Sequence, residues 1–143
     1  MTKAVEDITK KLNSNLPASA VFKRKGPGGR MLDYISGFTC TDYLNRIFGP
    51  LGWSFTIRET IVENAGTATK CRVLGHLYVN MLEEGVCKIS DDWGYGKGTG
   101  PDAEESAIKE ARTDALKRCA KDMGYVLGLA LYDKDQKHVG KGE

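Results

Sequence analysis

The sequence has no CxxC pair, no apolar run long enough to cross a bilayer and no Walker-type phosphate loop. Cys40, Cys71, Cys87 and Cys119 stand far apart, whereas zinc ribbons and disulfide scaffolds need close or patterned spacing. The four thiols therefore read as buried and reduced, in a cytosolic protein. A membrane span needs roughly 20 apolar residues. The longest near-apolar run, Met123 to Tyr132, is shorter and is broken by Gly124 and Gly128. The opening residues MTKAVEDITKK carry charge throughout, unlike a secretory signal. Histidine is also scarce. His76 is one of two, and a lone histidine on a strand is more often structural than a ligand or a base. No Ser-His-Asp or Cys-His arrangement stands out. Asp91 and Asp92 adjoin on a strand and point to opposite faces, so they are poorly placed to share a nuclease metal. The sequence predicts no catalytic residue, no metal and no cofactor.

What is present fits one domain. A chain of 143 residues buries about two-thirds of its surface on folding, and 41% hydrophobic residues supply a core. The net charge of +2 says little about partners, but its distribution says more. Residues 21 to 30, VFKRKGPGGR, hold Lys23, Arg24, Lys25 and Arg30 and no acid. A second cluster, Lys117, Arg118 and Lys121, falls near the end of a predicted helix. Local basic patches on a near-neutral chain still make an electrostatic footprint.

Val5, Ile8 and Leu12 have helical spacing and predict a short amphipathic helix within residues 1–14. Residues 22–36 read as a basic glycine-rich loop or hairpin tip leading into a short strand, MLDYIS. A helix over 39–48 follows, with Thr41 as its cap, a stripe of Cys40, Tyr43, Leu44, Ile47 and Phe48, and a stop at Gly49-Pro50. Three antiparallel strands are predicted over 52–97. In the second, Cys71, Val73, Leu77, Val79 and Met81 fall mostly on one face. The other face of the sheet offers Arg58, Lys70, Arg72 and Lys88, interleaved with His76 and Tyr78. That is either a nucleic-acid surface or a solvated one. One apolar sheet face needs a cover, and the helix predicted over 102–124 supplies it through Ile108, Ala111, Ala115, Leu116, Cys119 and Met123. The fold class is α+β: an antiparallel three-stranded sheet covered by a long helix, preceded by a helix and hairpin region. Residues 133–143, with Lys134, Lys137 and Lys141, read as a frayed tail.

At 100° per residue, Lys117, Arg118 and Lys121 project away from the apolar stripe, so folding is not expected to need them. Lys117 and Lys121 repel at i, i+4, at a cost of a few tenths of a kcal/mol, roughly. A solvated helix end explains such a cluster, since cations there complement the dipole by ~0.3–1 kcal/mol. A phosphate backbone explains it as well. GYGKGTG, residues 94 to 100, lacks the Lys-Ser/Thr pair of a phosphate loop before a helix. It reads as a sharp strand-to-helix turn that places Tyr95 and Lys97 near phosphates.

YISG at 34–37, FGPLGW at 48–53, GYGKGTG at 94–100 and KEARTDALKR at 109–118 occur in an order and spacing that resemble the Rad52-type (Rad52/Rad22 family) single-strand annealing proteins, including the short phage-encoded ones. KEARTDALKR followed by Gly124 is the most specific piece, and the resemblance covers roughly residues 10 to 135. It implies a strand-strand-strand-helix core with an extra hairpin, assembled into homo-oligomeric rings. It also implies single-stranded DNA in a basic groove with its bases outward, for pairing with a complementary strand. Lys117, Arg118 and Lys121 match the family's groove positions. The chain departs at Thr39, where a basic residue is common, and at Pro50, where an aromatic is common. Eukaryotic members carry a long tail that these 143 residues do not include, so either a phage or bacterial setting, cytoplasmic or nucleoid-associated, or an isolated core is expected.

Lysine and arginine hold a strand without reading its sequence, and pairing then supplies the driving energy without ATP. The expected function is thus annealing of single strands in recombination and repair, with no enzymatic step and no membrane. The apolar helix at Val5, Ile8 and Leu12 and the strand MLDYIS are candidates for packing on a neighbouring copy. Two alternatives stand beside this. One is a double-stranded-RNA-binding module, whose lysines would sit at the start of the last helix, here acidic at Asp102, Glu104 and Glu105. The other is a nucleotide-dependent enzyme using GYGKGTG.

Overall fold

The computed structural model describes residues 2–140. Helix α1 (Lys3–Leu12) opens the chain, and the Thr2 hydroxyl accepts the Val5 N–H at its start. Strands β1 (Phe22–Lys25) and β2 (Met31–Tyr34) form an antiparallel hairpin that pairs Lys23 with Asp33 and Arg24 with Leu32. Helix α2 (Gly37–Phe48) begins four residues before the expected Thr41 cap. Ser36 takes that role instead, because its Oγ accepts the Thr39 N–H at 3.0 Å. Cys40 and Leu44 are the buried members of its stripe, and Gly49, at φ 79°, ends it.

Strands β3 (Trp53–Ala65), β4 (Ala68–Met81) and β5 (Val86–Thr99) make the antiparallel sheet in that order. Helix α3 (Ala103–Lys121) covers one face. Alternation along β4 is strict, with Cys71, Val73, Leu77 and Val79 buried on the helix side. A bulge between Ile57 and Glu59 interrupts the pairing of β3.

The third strand continues well past Asp92, through GYGKGTG as far as Thr99. These glycines are not a strand-to-helix turn. Gly94, Gly96 and Gly98 lie on the helix side, where a side chain would collide with the α3 backbone at Ala115, Ala107 and Ala103. Glycine weakens a strand in isolation. Here it lets an alanine-lined helix lie directly on the sheet, since Ala103, Ala107, Ala111 and Ala115 repeat at i, i+4 and are all buried. Ile108, expected in this stripe, is 37% exposed; the inward positions belong to the alanines.

A larger cluster of Leu16, Ile35, Leu44, Leu77, Leu116, Val126 and Leu127 fills the space between α2, α3 and the sheet. Each fully buried leucine contributes about 1.5–3 kcal/mol, so Leu16, Leu44, Leu77 and Leu127 are its main anchors. Cys40, Cys71 and Cys119 are buried free thiols as expected, and burial pushes the Cys40 thiol up to about 12 and that of Cys119 up to about 11. Cys87 differs: it is exposed on β5. The tail also differs from its expected frayed state over 133–140. Val139 bridges Leu16, with the Leu16 N–H donating to the His138 carbonyl at 2.8 Å and the Gly140 N–H to the Leu16 carbonyl at 2.7 Å. Lys141 lies outside the described residues. Among the described residues no helix is long and apolar enough to cross a membrane.

Candidate nucleic-acid interface

The hairpin and α3 face each other across an open cleft of about 300 Å³, lined by Arg24, Tyr34, Lys117, Arg118, Lys121 and Tyr132 among others. A recess beside it continues the same wall past Tyr95 and Lys109. Two basic segments far apart in sequence therefore meet in one place.

None of the three helix cations stands free in solvent. Lys117 is half-buried, and its Nζ donates to the Ile35 carbonyl at 3.2 Å. It sits 5.4 Å from the centre of the Tyr34 ring, and the Arg24 guanidinium lies 5.4 Å from that same ring. Burial, with a smaller contribution from Arg24, holds the Lys117 amine below the ordinary lysine range, although Asp114 opposes this. An incoming anion would relieve that desolvated charge.

Arg118 donates from Nε to Asp114 Oδ2 at 3.0 Å, and its guanidinium lies 5.3 Å from the Tyr95 ring centre. The same carboxylate oxygen accepts the Tyr95 N–H at 2.9 Å. Asp114 thus closes an open backbone donor of β5 while fixing the arginine, leaving guanidinium donors for a phosphate. Lys121 bonds Asp122 Oδ1 at 3.0 Å, approaches Asp92 Oδ2 at 3.8 Å and lies 5.4 Å from the Tyr132 ring centre. Burial works against its charge, but the Asp122 hydrogen bond and charge outweigh burial and raise its pKa.

Of the residues singled out from sequence, Arg24, Lys117, Arg118, Lys121 and Tyr95 are brought together in the cleft and its adjoining recess. Lys23 belongs to the hairpin but is paired with Asp33 at 2.8 Å. Lys25 and Arg30 are exposed beside the glycine turn at the hairpin tip, and neither lines the cleft. Lys97 stands opposite Lys70 on the sheet face away from α3. That open face also holds Arg72, 5.6 Å from the Trp93 ring centre, and a chain of contacts joining Arg58, His76 and Asp91. His76 is therefore a cross-strand connector. Lys88, expected on this face, is opposite Val79 on the helix side and donates to the Asp122 carbonyl at 3.3 Å. Asp91 and Asp92 do diverge, the first toward His76 and the second toward Lys121.

Tyr34, Asp114 and Tyr132 were not singled out from sequence. Tyr34 had a signal, since it opens the YISG motif. Asp114 lies at i−4 from Arg118 and could be found by that spacing.

The sequence pattern described as "Rad52/22 family double-strand break repair protein" matches residues 4–142. This chain belongs to the Rad52/22 family. It is 34% identical over 134 residues to the DNA repair and recombination protein RAD52 of Candida glabrata, covering 91% of this chain and 26% of that one. Against the RAD52 protein of Saccharomyces cerevisiae the figures are 34%, 91% and 28%. Against the DNA repair and recombination protein rad22 of Schizosaccharomyces pombe they are 34%, 91% and 29%. The chain spans little more than a quarter of the length of these relatives. They are fungal proteins, which gives the expected phage or bacterial setting no support.

Proposed function

We propose that this Rad52/22-family chain acts in double-strand break repair and recombination by holding single-stranded DNA in the cleft between the β1–β2 hairpin and α3. There it would pair the bound strand with its complement without nucleotide hydrolysis. The observation that carries this reading is the convergence of Arg24, Lys117, Arg118 and Lys121 on one open cleft. Four cations held by carbonyl, carboxylate and ring contacts are pre-positioned for a phosphate backbone. Contacts to phosphate do not read bases, so bases left outward remain free to test a second strand.

Both alternatives lose their structural footing. GYGKGTG is a strand whose glycine face is pressed on α3, so it offers no loop to wrap a nucleotide phosphate. The first turn of α3 carries Glu104 and Glu105, which opposes binding of RNA phosphates at that helix start. An oligomer remains part of the proposal. Phe22 and Met31 on the hairpin are about half exposed, and Phe38 is 80% exposed, so each is available to a second copy. Val5, Ile8 and Leu12, expected at such an interface, are only partly buried and line an open apolar cleft beside Phe48 and Met123, so they too are available to a second copy.

Titration of a labelled oligo-dT strand in EDTA, repeated at several salt concentrations, tests the reading. Binding should weaken as salt rises, with a log–log slope of about −0.7 per phosphate contact. Salt-independent binding, or binding only with added nucleotide, would refute it.

A further inference from the structure

The hairpin wall of the cleft is a marginal element. Its strands are four residues each, every residue of β1 is exposed, and two short strands are not stable alone. Something must hold it at the right distance from α3. On the cleft side, Tyr34 meets Lys117, and the Ile35 carbonyl receives the Lys117 amine. A second hold comes from the end of the described chain, through Asp33, which itself lines the cleft.

Asp33 uses both carboxylate oxygens. Oδ1 receives Lys23 at 2.8 Å across the hairpin, and Oδ2 receives the Gln136 side-chain amide at 3.0 Å. These two bonds, Lys23 first, keep the Asp33 carboxyl below its ordinary range. Gln136 makes this reach from a left-handed backbone conformation, φ 46°, the sole positive φ outside glycine among the described residues. Such a conformation persists only where the surroundings enforce it. Here they do: Asp133 Oδ2 accepts the Lys137 N–H at 3.4 Å, and the Gln136 N–H donates to the Asp133 carbonyl at 3.0 Å. Beyond Gln136, the His138 ring stacks on Tyr125 at 3.7 Å between centres, and the backbone ties to Leu16, which is fully buried.

We propose that residues 133–140 are a strap that positions the hairpin wall through Gln136 and Asp33, making Gln136 a positioning residue for strand binding though it lines no part of the cleft. The inference rests on the cleft being the DNA site.

The test is Gln136→Gly. Glycine adopts the left-handed conformation without strain, so the turn is kept while the amide is lost. The melting temperature should stay within about 2 °C of the original chain. Oligo-dT affinity should fall, at most roughly three- to tenfold, because one hydrogen bond shifts the wall equilibrium by that factor and affinity follows the fraction of wall in place. Amide hydrogen exchange over residues 22–34 should accelerate, while exchange in α3 should not. Unchanged affinity with unchanged hairpin exchange overturns the proposal, as does a variant that loosens throughout. If the original chain itself does not bind oligo-dT, the proposed function fails, and faster hairpin exchange in the variant alone decides whether the strap exists.

Discussion

The backbone of Ala115 rests directly on Gly94: a methyl group at Gly94 would meet the Ala115 nitrogen and Cα as well as the Ala111 carbonyl oxygen. Both partners of that contact are main chain, so no rotamer change can relieve it. Gly94→Ala should therefore destabilise by about 3 kcal/mol or more, at the top of the range for overpacking. Thermal unfolding should show a drop of roughly 10 °C. A variant as stable as the original would mean that the helix does not lie this close to the sheet.

The Lys117, Arg118 and Lys121 cluster has a structural as well as an electrostatic role. Its triple alanine variant leaves the Ile35 carbonyl and the Asp114 and Asp122 carboxylates without their cations. Urea unfolding should show a loss of about 1–2 kcal/mol, short of unfolding. Oligo-dT affinity and annealing should fall together, with the salt slope smaller by ~0.7 for each phosphate contact removed. A folded variant with unchanged affinity would reduce the cluster to a helix end.

Arg24 separates binding from folding more cleanly. It is exposed, and its described contact is with the Tyr34 ring, a surface cation–ring interaction of about 0.5–1 kcal/mol. Arg24→Ala should keep its melting temperature within a few degrees, roughly, yet weaken oligo-dT binding about tenfold, near the value of one charge-assisted hydrogen bond. Lys25→Ala, at the hairpin tip, should change binding less. Equal losses for the two would place the strand at the tip instead of in the cleft.

Acid should act through Asp33 and Asp122. Lys23 and then Gln136 lower the first, while for the second the Lys121 and Ser90 hydrogen bonds outweigh burial. Both folded values lie below the ordinary 3.8. Their stabilisation is therefore fully present above that value and is lost as pH falls through the folded values. Urea midpoints should drop below about pH 4. Asp122→Asn should be less stable than the original chain at neutral pH, and that gap should narrow on acidification. A gap that widens in acid would contradict the assignment.

The fold was legible wherever periodicity or punctuation carried it. The alternation of Cys71, Val73, Leu77 and Val79 gave β4, and Gly49-Pro50 gave the end of α2. GYGKGTG misled because glycine normally marks turns, whereas here every second residue must be small to admit the α3 backbone. The repeat of alanine at 103, 107, 111 and 115 was the matching signal on the helix. The cations were legible as clusters, but their partners were not. Ile35 lies 82 positions from Lys117 and Asp33 lies 103 from Gln136, distances at which no local pattern reports contact. The strap was missed for the same reason: the polar and charged residues 133–137 look solvated until Leu16 and Tyr125 are seen to hold residues 138–140.

Annealing of two complementary labelled oligonucleotides, in EDTA and without nucleotide, is the most direct test of the central claim. The account predicts that the original chain accelerates pairing well above the protein-free rate, and that Arg24→Ala combined with the triple alanine variant returns it to that rate while remaining folded. Pairing no faster than the protein-free control with the original chain, or full acceleration by the folded cleft variant, would contradict it.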